Sequence, residues 1–390
     1  MSKVPNGWTS STVGVHINLI SGFPFKSDSY TDNEQDIRLL RGDNIEPLSL
    51  RWKGVKKWPL SALDTLKDYS LEQGDIVIAM DRTWVSAGLK VAEVKQRDLP
   101  CLLVQRVARL RSKPSLVQSF LKQLFITLNF EQYVKGVQTE TAVPHISSQQ
   151  IKDFPILVPP LPEQIKIAEI LSTWDNAINT VQKLLDNSQQ QKKALMQQLL
   201  TGKKRFAGFE GEWEEKRLGD VCSPQQWPTI SSKDLVSNGY SVYGANGFIG
   251  YYFEYNHKNE TVAVTCRGST CGEVSLIPEK SYVTGNSMCL DDVNEKRYAY
   301  RYLYYFLKNR GFNDVISGSA QPQIVGSAIR KVKVLIPSLP EQQKIATILT
   351  TADQEIDNLR AQLNHLKQEK KALMQQLLTG KRRVKIEEAA

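Results

Sequence analysis

Two short runs of polar side chains follow strand-like apolar stretches and are the first candidates for chemistry in this sequence. Arg82-Thr-Trp84 comes after the run Asp75–Met80, and Arg267-Gly-Ser-Thr270 comes after Thr261–Cys266. Guanidinium and hydroxyl groups supply hydrogen-bond donors and positive charge, whereas an activated nucleophile would need a base beside it. These runs therefore favour recognition of a polar or anionic partner over a covalent reaction.

The patterns that would indicate catalysis or a bound cofactor are not found in the sequence. There is no Asn-Pro-Pro-Tyr motif of adenine methylation, and no Ser/His/Asp triad can be placed among only four histidines. Cys266, Cys271 and His257 are too few and too loosely spaced for a zinc site. The Gly-rich stretch 244–250 lacks the Gly-Lys-Ser/Thr that ends a phosphate-binding loop. We predict no enzymatic activity, no cofactor and no metal site in this chain.

Two near-identical segments organise the chain. Leu161–Phe206 aligns without a gap with Leu339–Val384, at an offset of 178 residues, and about 27 of the 46 aligned positions are identical. Each copy begins with Leu-Pro-Glu-Gln and contains Thr-Gly near its end, which are typical start and stop signals of a helix. The sequence therefore predicts one long helix in each copy.

An apolar stripe with three–four spacing runs along each predicted helix for about four heptads, or about 42 Å of a helix about 57 Å long. One basic residue interrupts each stripe, Lys192 in the first and Lys370 in the second. Because neither helix can bury its stripe alone, we predict that the two pair; the alternative is that each packs on its own globular domain. The predicted interface residues are Leu171, Trp174, Ile178, Val181, Leu185, Leu195, Leu199, Leu349, Ile356, Leu359, Leu363, Leu366, Leu373 and Leu377.

The segments that precede the two helices share one plan although their sequences diverge. Trp8 and Gly14 in the first recur with the same spacing as Trp213 and Gly219 in the second. Strand-like runs then lead to a helix, at about 115–134 and at about 295–309, whose aromatic face in the second copy we interpret as core. The predicted fold class is α+β, with two α/β domains, two long helices and a pseudo-two-fold internal repeat. The predicted boundaries are 1–155, 156–203 (helix), 204–335, 336–381 (helix) and a tail at 382–390.

Composition adds a mild indication of an anionic partner. The formal net charge is +9 and the isoelectric point is about 9.1, which suits a polyanion without requiring one. The first residues lack the apolar segment of a secretory leader, and no run of about 18 apolar residues predicts a membrane span. Five scattered cysteines favour a reducing cytoplasm over a disulfide framework.

Taken together, these features resemble the specificity subunits of bacterial Type I restriction-modification systems. The resemblance covers nearly the whole chain, and the repeated helices are its most specific part. One stretch departs from the family pattern, Val143-Pro-His-Ile146, where Gln-Pro-Asn is more frequent. The motifs that carry the resemblance are Leu161-Pro-Glu-Gln-x-Lys-Ile-Ala168 with its copy at 339–346, the helix endings 194–202 and 372–380, Gln321-Pro-Gln-Ile324, and Tyr243-Gly-Ala-Asn-Gly-Phe-Ile-Gly-Tyr251.

This resemblance implies a non-catalytic subunit that reads double-stranded DNA in the bacterial cytoplasm, with no membrane association. Two target recognition domains would each read half of a split site, held apart by the helices as an antiparallel coiled-coil spacer. Two methyltransferase subunits would dock on the helices and methylate adenines with S-adenosylmethionine. Restriction subunits would add translocation and cleavage driven by ATP and magnesium.

A spacer of about 42 Å exceeds one turn of DNA, about 34 Å, so we expect a gap of unread bases between the half-sites. Unlike domains predict an asymmetric site. Lys and Arg would hold phosphates, and a few side chains would read base edges. The candidate DNA-binding residues are Arg41, Lys56, Lys57, Arg82, Thr83, Gln138 and Thr139 in the first domain, and Tyr243, Asn246, Arg267, Ser269, Thr270, Gln321 and Gln323 in the second.

Three alternatives remain open on the sequence. A coiled-coil scaffold could carry heads that bind proteins or sugars. The chain could be an orphan methyltransferase, which activity of the purified chain would reveal. It could also be the equivalent subunit of a Type II-like fused nuclease-methylase, which differs only in the partner.

Overall fold

A computed structural model describes residues 4–318 and 321–386, and these fall into two compact units. The first unit comprises the chain up to Thr180 together with the chain from Leu363 onward, and the second comprises Val181–Gln362. Ala320, which lies upstream of the second repeat copy and matches Ala142 at the same offset of 178 residues, and residues 387–390 of the predicted tail lie outside the described residues.

The first unit is built around an antiparallel four-stranded sheet of order β10-β7-β12-β2 and a three-stranded sheet of order β11-β3-β6, in which β11 and β3 are parallel. Strands β1 and β13 form a separate antiparallel pair that leads into the long helix. The elements are β1 Thr9–Thr12, β2 Ile17–Ser21, β3 Ile37–Leu40, β4 Ile45–Glu46, β5 Ser49–Leu50, β6 Lys57–Trp58, β7 Ile76–Ala79, β8 Trp84–Val85, β9 Gly88–Leu89, β10 Val91–Glu93, β11 Cys101–Leu103, β12 Val107–Ser112, α1 Gln118–Phe125, α2 Leu128–Val137, α3 Ser148–Lys152, β13 Pro155–Val158 and α4 Leu161–Leu199.

The second unit repeats the four-stranded sheet, the three-stranded sheet and the separate strand pair of the first. Its four-stranded sheet has the order β15-β21-β18-β19, its three-stranded sheet the order β17-β16-β20, and β14 pairs with β22. The elements are β14 Glu214–Arg217, α5 Leu218–Val221, β15 Ser223–Gln226, β16 Tyr240–Gly244, β17 Gly247–Tyr252, β18 Thr261–Thr265, β19 Val274–Ile277, β20 Tyr282–Val283, β21 Ser287–Asp291, α6 Tyr300–Arg310, α7 Gly326–Ile329, β22 Lys333–Ile336 and α8 Leu339–Leu377.

Strand β7 shows why the core has two sides. All four of its residues are buried, as expected for a β-branched run in the centre of a sheet. Because side chains alternate along a strand, Ile76 and Ile78 join the cluster under helices α1 and α2, whereas Val77 and Ala79 join the cluster under β11. Strand β18 does the same in the second unit, with Val262 and Val264 on one side and Ala263 on the other.

The predicted globular helices are present with one change. The aromatic helix of the second unit is α6, and its Tyr302, Leu303 and Leu307 are fully buried, which confirms its interpretation as core. The single helix expected over about 115–134 is wrong: α1 ends at Phe125, and Thr127 caps a second helix by accepting a hydrogen bond from the amide of Phe130 at 3.1 Å.

The two long helices have 39 residues each, and each would be about 58 Å long. Residues 161–180 of α4 belong to the first unit, where Leu171 shares a core cluster with Leu377 of α8. In the second unit Leu199 of α4 shares a cluster with Leu349 of α8. The predicted pairing of the helices is therefore confirmed at these positions, where the paired helices also contribute to a globular core.

Polar contacts in the second unit give the direction of the helix pair. Ser188 donates to Glu355 at 3.0 Å, and four residues further along α4 Lys192 pairs with Asp353 of α8. Because the numbering rises on α4 while it falls on α8, the helices are antiparallel. Among the stripe residues, Leu171, Val181, Leu185, Leu199, Leu349, Ile356, Leu363 and Leu377 are buried, and Trp174, Ile178, Leu195, Leu359, Leu366 and Leu373 are half-buried.

Each long helix is followed, three residues after its last residue, by a glycine that cannot be replaced freely. Gly202 and Gly380 have φ of 70° and 67°, in the left-handed region that favours glycine. A Cβ on Gly380 would lie 2.3 Å from Cγ of Pro5. The chain therefore needs glycine at Gly380 to turn tightly beside the amino-terminal segment of the same unit.

No helix within residues 4–318 and 321–386 combines the length and the apolar character that crossing a bilayer requires.

Candidate nucleic-acid interface

In the first unit, the chain that follows β7 pairs with the segment Pro144–Ile146. The amide of Ile146 donates to the Met80 carbonyl at 2.9 Å, and the amide of Arg82 donates to the Pro144 carbonyl at 2.7 Å. Between these two hydrogen bonds, Asp81 and His145 lie opposite each other and form an antiparallel β-bridge. The backbone thus fixes a small platform at the end of the sheet, on which the exposed side chain of Arg82 is presented.

Arg82 has an unusual backbone conformation, with φ of 48°. A long side chain in the left-handed region costs free energy, of order 1–3 kcal/mol, so surrounding bonds must hold it there. The bond to Pro144 does so. This is the kind of local strain that clusters at binding sites, and it could not be read from the sequence.

Thr139 is brought to the same platform. Its hydroxyl lies 2.9 Å from Nδ1 of His145 and accepts a hydrogen bond from the His145 amide at 3.1 Å. Gln138, half-buried at the end of α2, is its chain neighbour. Among the first unit's candidates, the structure therefore brings together Arg82, Gln138 and Thr139, and it adds His145, which sequence reasoning did not select.

A second group of basic residues lies beside Arg82. The half-buried Lys90 donates its amide to the Thr83 carbonyl at 2.7 Å. Burial lowers the pKa of Lys90, the charge of Arg82 lowers it further, and Asp43 opposes the shift. Arg106 lies 3.9 Å from Asp81. Lys90 and Arg106 were missed because nothing in their sequence context distinguishes them from other surface cations.

The polar groups of three other candidates of the first unit contact partners within that unit. Thr83 is only 1% exposed, and its hydroxyl donates to the Ala79 carbonyl at 2.7 Å. Lys57 is buried on β6 and pairs with Glu34 at 2.7 Å. The half-buried Arg41 lies 3.5 Å from Asp43. A direct DNA contact by Thr83 would require this buried hydroxyl to change partners, whereas Lys56 is exposed and is unaffected by this objection.

The second unit has the same platform. The amide of Ile324 donates to the Cys266 carbonyl at 3.0 Å, and the amide of Gly268 donates to the Pro322 carbonyl at 3.2 Å. Arg267 and Gln323 form the bridge between them. Both side chains are exposed, as is Gln321 just before. The structure therefore brings the candidates Arg267, Gln321 and Gln323 together.

The hairpin between β16 and β17 reaches this platform through its tip. The hydroxyl of Thr270 lies 3.1 Å from the Ala245 carbonyl and 3.0 Å from Oδ1 of Asn246. Ser269 is exposed next to Thr270. Tyr243 differs from the other candidates because its half-buried side chain packs against the apolar cluster that contains Ala263 of β18.

The two platforms are equivalent, but their residues correspond with a shift of one position from an alignment that matches Arg82 with Arg267. The equivalent bonds place Met80 with Cys266, so Asp81 corresponds to Arg267, and Arg82 corresponds to Gly268. Arg82 and Gly268 are both in the left-handed region, with φ of 48° and 91°. The matching place that the sequence suggested for Arg82 and Arg267 is therefore corrected: the two arginines occupy adjacent, not equivalent, positions in the two copies of the scaffold.

His257, Cys289 and Asp291 lie close enough to suggest a metal site, but both ring nitrogens of His257 already have polar partners. Nε2 of His257 lies 3.0 Å from Asp291, and Nδ1 lies 2.6 Å from Oδ1 of Asn256. Burial raises the pKa of the Cys289 thiol far above its ordinary value, which keeps it protonated. The absence of a metal site remains a prediction, and this cluster reads as a packed hydrogen-bond network.

The geometry defines a class of protein with two copies of one domain–helix unit, whose equivalent ends present unlike polar side chains. A family model described as "Type I restriction modification DNA specificity domain" matches residues 6–187 and again 210–368. The chain belongs to the family of type I restriction-modification specificity subunits.

Individual relatives agree with this assignment. The EcoAI specificity subunit of Escherichia coli is 34% identical over 186 residues, which cover 47% of this chain and 30% of that protein. The MjaVIII specificity subunit of Methanocaldococcus jannaschii is 25% identical over 73% of this chain and 75% of its own. An S subunit from M. genitalium, with 16% identity and a TM-score of 0.69 over 97% of both chains, shows the same fold.

These matches confirm the predicted family and fold class. Because the curated relatives are named specificity subunits, they also confirm that this chain is the non-catalytic kind of subunit. They disfavour the orphan methyltransferase and the unrelated scaffold.

Proposed function

We propose that this chain selects a bipartite, asymmetric sequence in double-stranded DNA, with one unit for each half-site. The observation that carries the proposal is the pair of platforms. One backbone scaffold holds Asp81, Arg82 and His145 in the first unit and Arg267, Gly268 and Gln323 in the second. Equivalent positions with different donors and acceptors would read different bases, because each base pair presents its own pattern in the major groove.

The long helices set the spacing of the half-sites and dock two methyltransferase subunits, which in turn recruit restriction subunits. S-adenosylmethionine, ATP and magnesium are used by those partners, and this chain holds no cofactor. The complex works in the bacterial cytoplasm. The net charge of +9 supports DNA binding through phosphate contacts, which would weaken steeply with salt.

Methylation mapping in a strain that carries this chain tests the proposal. The expected motif has two unlike words separated by unread bases, and His145→Ala should relax one word while Gln323→Ala relaxes the other. A continuous or palindromic motif, or one variant that relaxes both words, would contradict it. The genes beside this one distinguish type I partners from a fused nuclease-methylase.

A further inference from the structure

One carboxylate in the first unit joins three helices. Asp175 on α4 accepts a hydrogen bond from Nζ of Lys370 on α8 at 2.6 Å, and its other oxygen accepts one from Nε2 of Gln123 on α1 at 3.1 Å. Nζ of Lys122, also on α1, lies 3.9 Å away. Asp175 is therefore the point where both long helices meet the globular part of this unit.

The second unit contains the same junction with different chemistry. Asp353 on α8 pairs through one oxygen with Lys192 on α4, and its other oxygen accepts a hydrogen bond from the Tyr305 hydroxyl on α6 at 2.8 Å. Asp353 and Lys370 lie 178 residues beyond Asp175 and Lys192, the offset of the sequence repeat. The basic interruptions of the two apolar stripes are thus the partners of these carboxylates.

The first junction is largely removed from water, whereas in the second the side chain of Asp353 is 35% exposed. The side chains of Lys370 and Asp175 are 8% and 16% exposed, and that of Lys192 is 13% exposed. Burial lowers the pKa of Lys370 even though Asp175 opposes the shift. A buried ion pair adds little stability over apolar packing, but it fixes register, because any other alignment leaves a buried charge without a partner.

The apolar contacts around each junction have no such directionality. Helices α1 and α6 pack through side chains such as Phe125 and Leu307. Apolar side chains tolerate a shift along a helix, and one helical turn corresponds to about 5.4 Å. The directional bonds to Gln123 and Tyr305 fix where the globular part of each unit is held along the long helices.

Resting on the proposed function, we propose that Asp175 and Asp353 are positioning residues that fix the recognition part of each unit on the helix pair and thereby set the gap between the two half-sites. They do not contact DNA. Their loss relaxes the gap without altering which bases are read.

The test measures methylation by the complete complex, with its methyltransferase partners, on duplexes that keep both half-sites and vary the gap by one or two base pairs. For Asp353→Asn and the milder Tyr305→Phe, the preference for the native gap should fall by about tenfold, equivalent to about 1.4 kcal/mol. The double variant Asp353→Lys with Lys192→Asp should recover much of it. Asp357→Asn, an exposed position on the same helix, is the matched control.

The outcomes separate the two proposals. If Asp353→Asn and Tyr305→Phe lower the melting temperature but keep the gap preference, the residues are merely structural and this inference is overturned. If the variants change the half-site words, it is overturned as well. If the wild-type complex methylates all gaps equally, the bipartite reading itself fails.

Discussion

The guanidinium of Arg383 forms two hydrogen bonds with the buried carboxylate of Glu163, although 220 residues separate them in the chain. Nε of Arg383 donates to Glu163 at 2.8 Å, a second nitrogen of the fork donates to the other oxygen, and a third reaches the Asn6 carbonyl at 2.8 Å. Arg205 and Glu341 repeat this arrangement in the second unit, where the third nitrogen reaches the Gly211 carbonyl at 2.6 Å. Each fork ties the residues just after one long helix to the first turn of the other.

The fork predicts a specific loss of stability. Arg383→Met removes the guanidinium and leaves Glu163, only 4% exposed, with Trp8 Nε1 as its side-chain donor at 3.2 Å. We expect a lower melting temperature, because a buried carboxylate then lacks its counter-charge. Arg382→Met makes the same change of charge at an exposed position and should have little effect. Equal melting curves for the two variants would contradict the structural role of the fork.

The neutral side chain of Gln164 also predicts a loss of stability when it is replaced. Its amide accepts from the Val117 amide at 2.8 Å and donates to the carbonyls of Pro159 at 2.9 Å and Ser115 at 3.2 Å. Gln164→Leu should destabilise the first unit by about 2 kcal/mol, because backbone groups are left buried without partners. Denaturant unfolding measures this loss. Gln191→Leu, an exposed change on the same helix, is the control, and an effect of the same size there would refute the explanation.

Arg82 and Arg267 predict a loss of sequence discrimination. Arg82→Ala or Arg267→Ala should weaken binding of the cognate duplex about tenfold more than binding of a scrambled duplex, since a bidentate base contact is worth about 1–3 kcal/mol. Competition binding of the complete complex at fixed salt measures the difference. Arg97→Ala and Arg360→Ala remove exposed charges from the same two units and should lower both affinities slightly and equally. Equal losses for Arg82→Ala on both duplexes would reassign it to phosphate binding.

The five free cysteines predict an order of reactivity. Burial raises the pKa of the Cys101 and Cys222 thiols to about 12, so that at pH 8 almost no thiolate is present. Cys271 is the partly exposed one. Brief alkylation of the native protein followed by mass spectrometry should label Cys271 first and Cys101 only after unfolding. Early labelling of Cys101 would show that the β3–β11 region opens more readily than its burial implies.

The sequence predicted the elements of this fold well because the repeat made each pattern visible twice. Several features could be read because each depends only on the sequence of one helix. These are the apolar stripes with Lys192 and Lys370, the Leu-Pro-Glu-Gln starts and the glycines that follow the helices. The partners of the lysines could not be predicted in the same way, because Asp175 and Asp353 lie off the stripe and far along the chain. Their pairing depends on how α4 and α8 are aligned.

The candidate interface was predicted less completely, and the reasons are local. Thr83 and Lys57 are among the candidates, yet the hydroxyl of Thr83 donates to the Ala79 carbonyl and the ammonium of Lys57 pairs with Glu34. His145 was passed over although it bridges Asp81. The direction of a side chain at the end of a strand depends on backbone angles such as φ of Arg82, which composition and spacing do not encode.

The discontinuity of the first unit has a consequence for synthesis on the ribosome. The second unit is one uninterrupted stretch, Val181–Gln362, so all of it is synthesised before residues 363–383. The first unit is begun earlier but lacks Met374, Leu377 and Arg383 until residues 363–383 are synthesised. The first unit is therefore begun before the second but completed after it. The part of its apolar core that α8 covers stays exposed until those residues of α8 are synthesised.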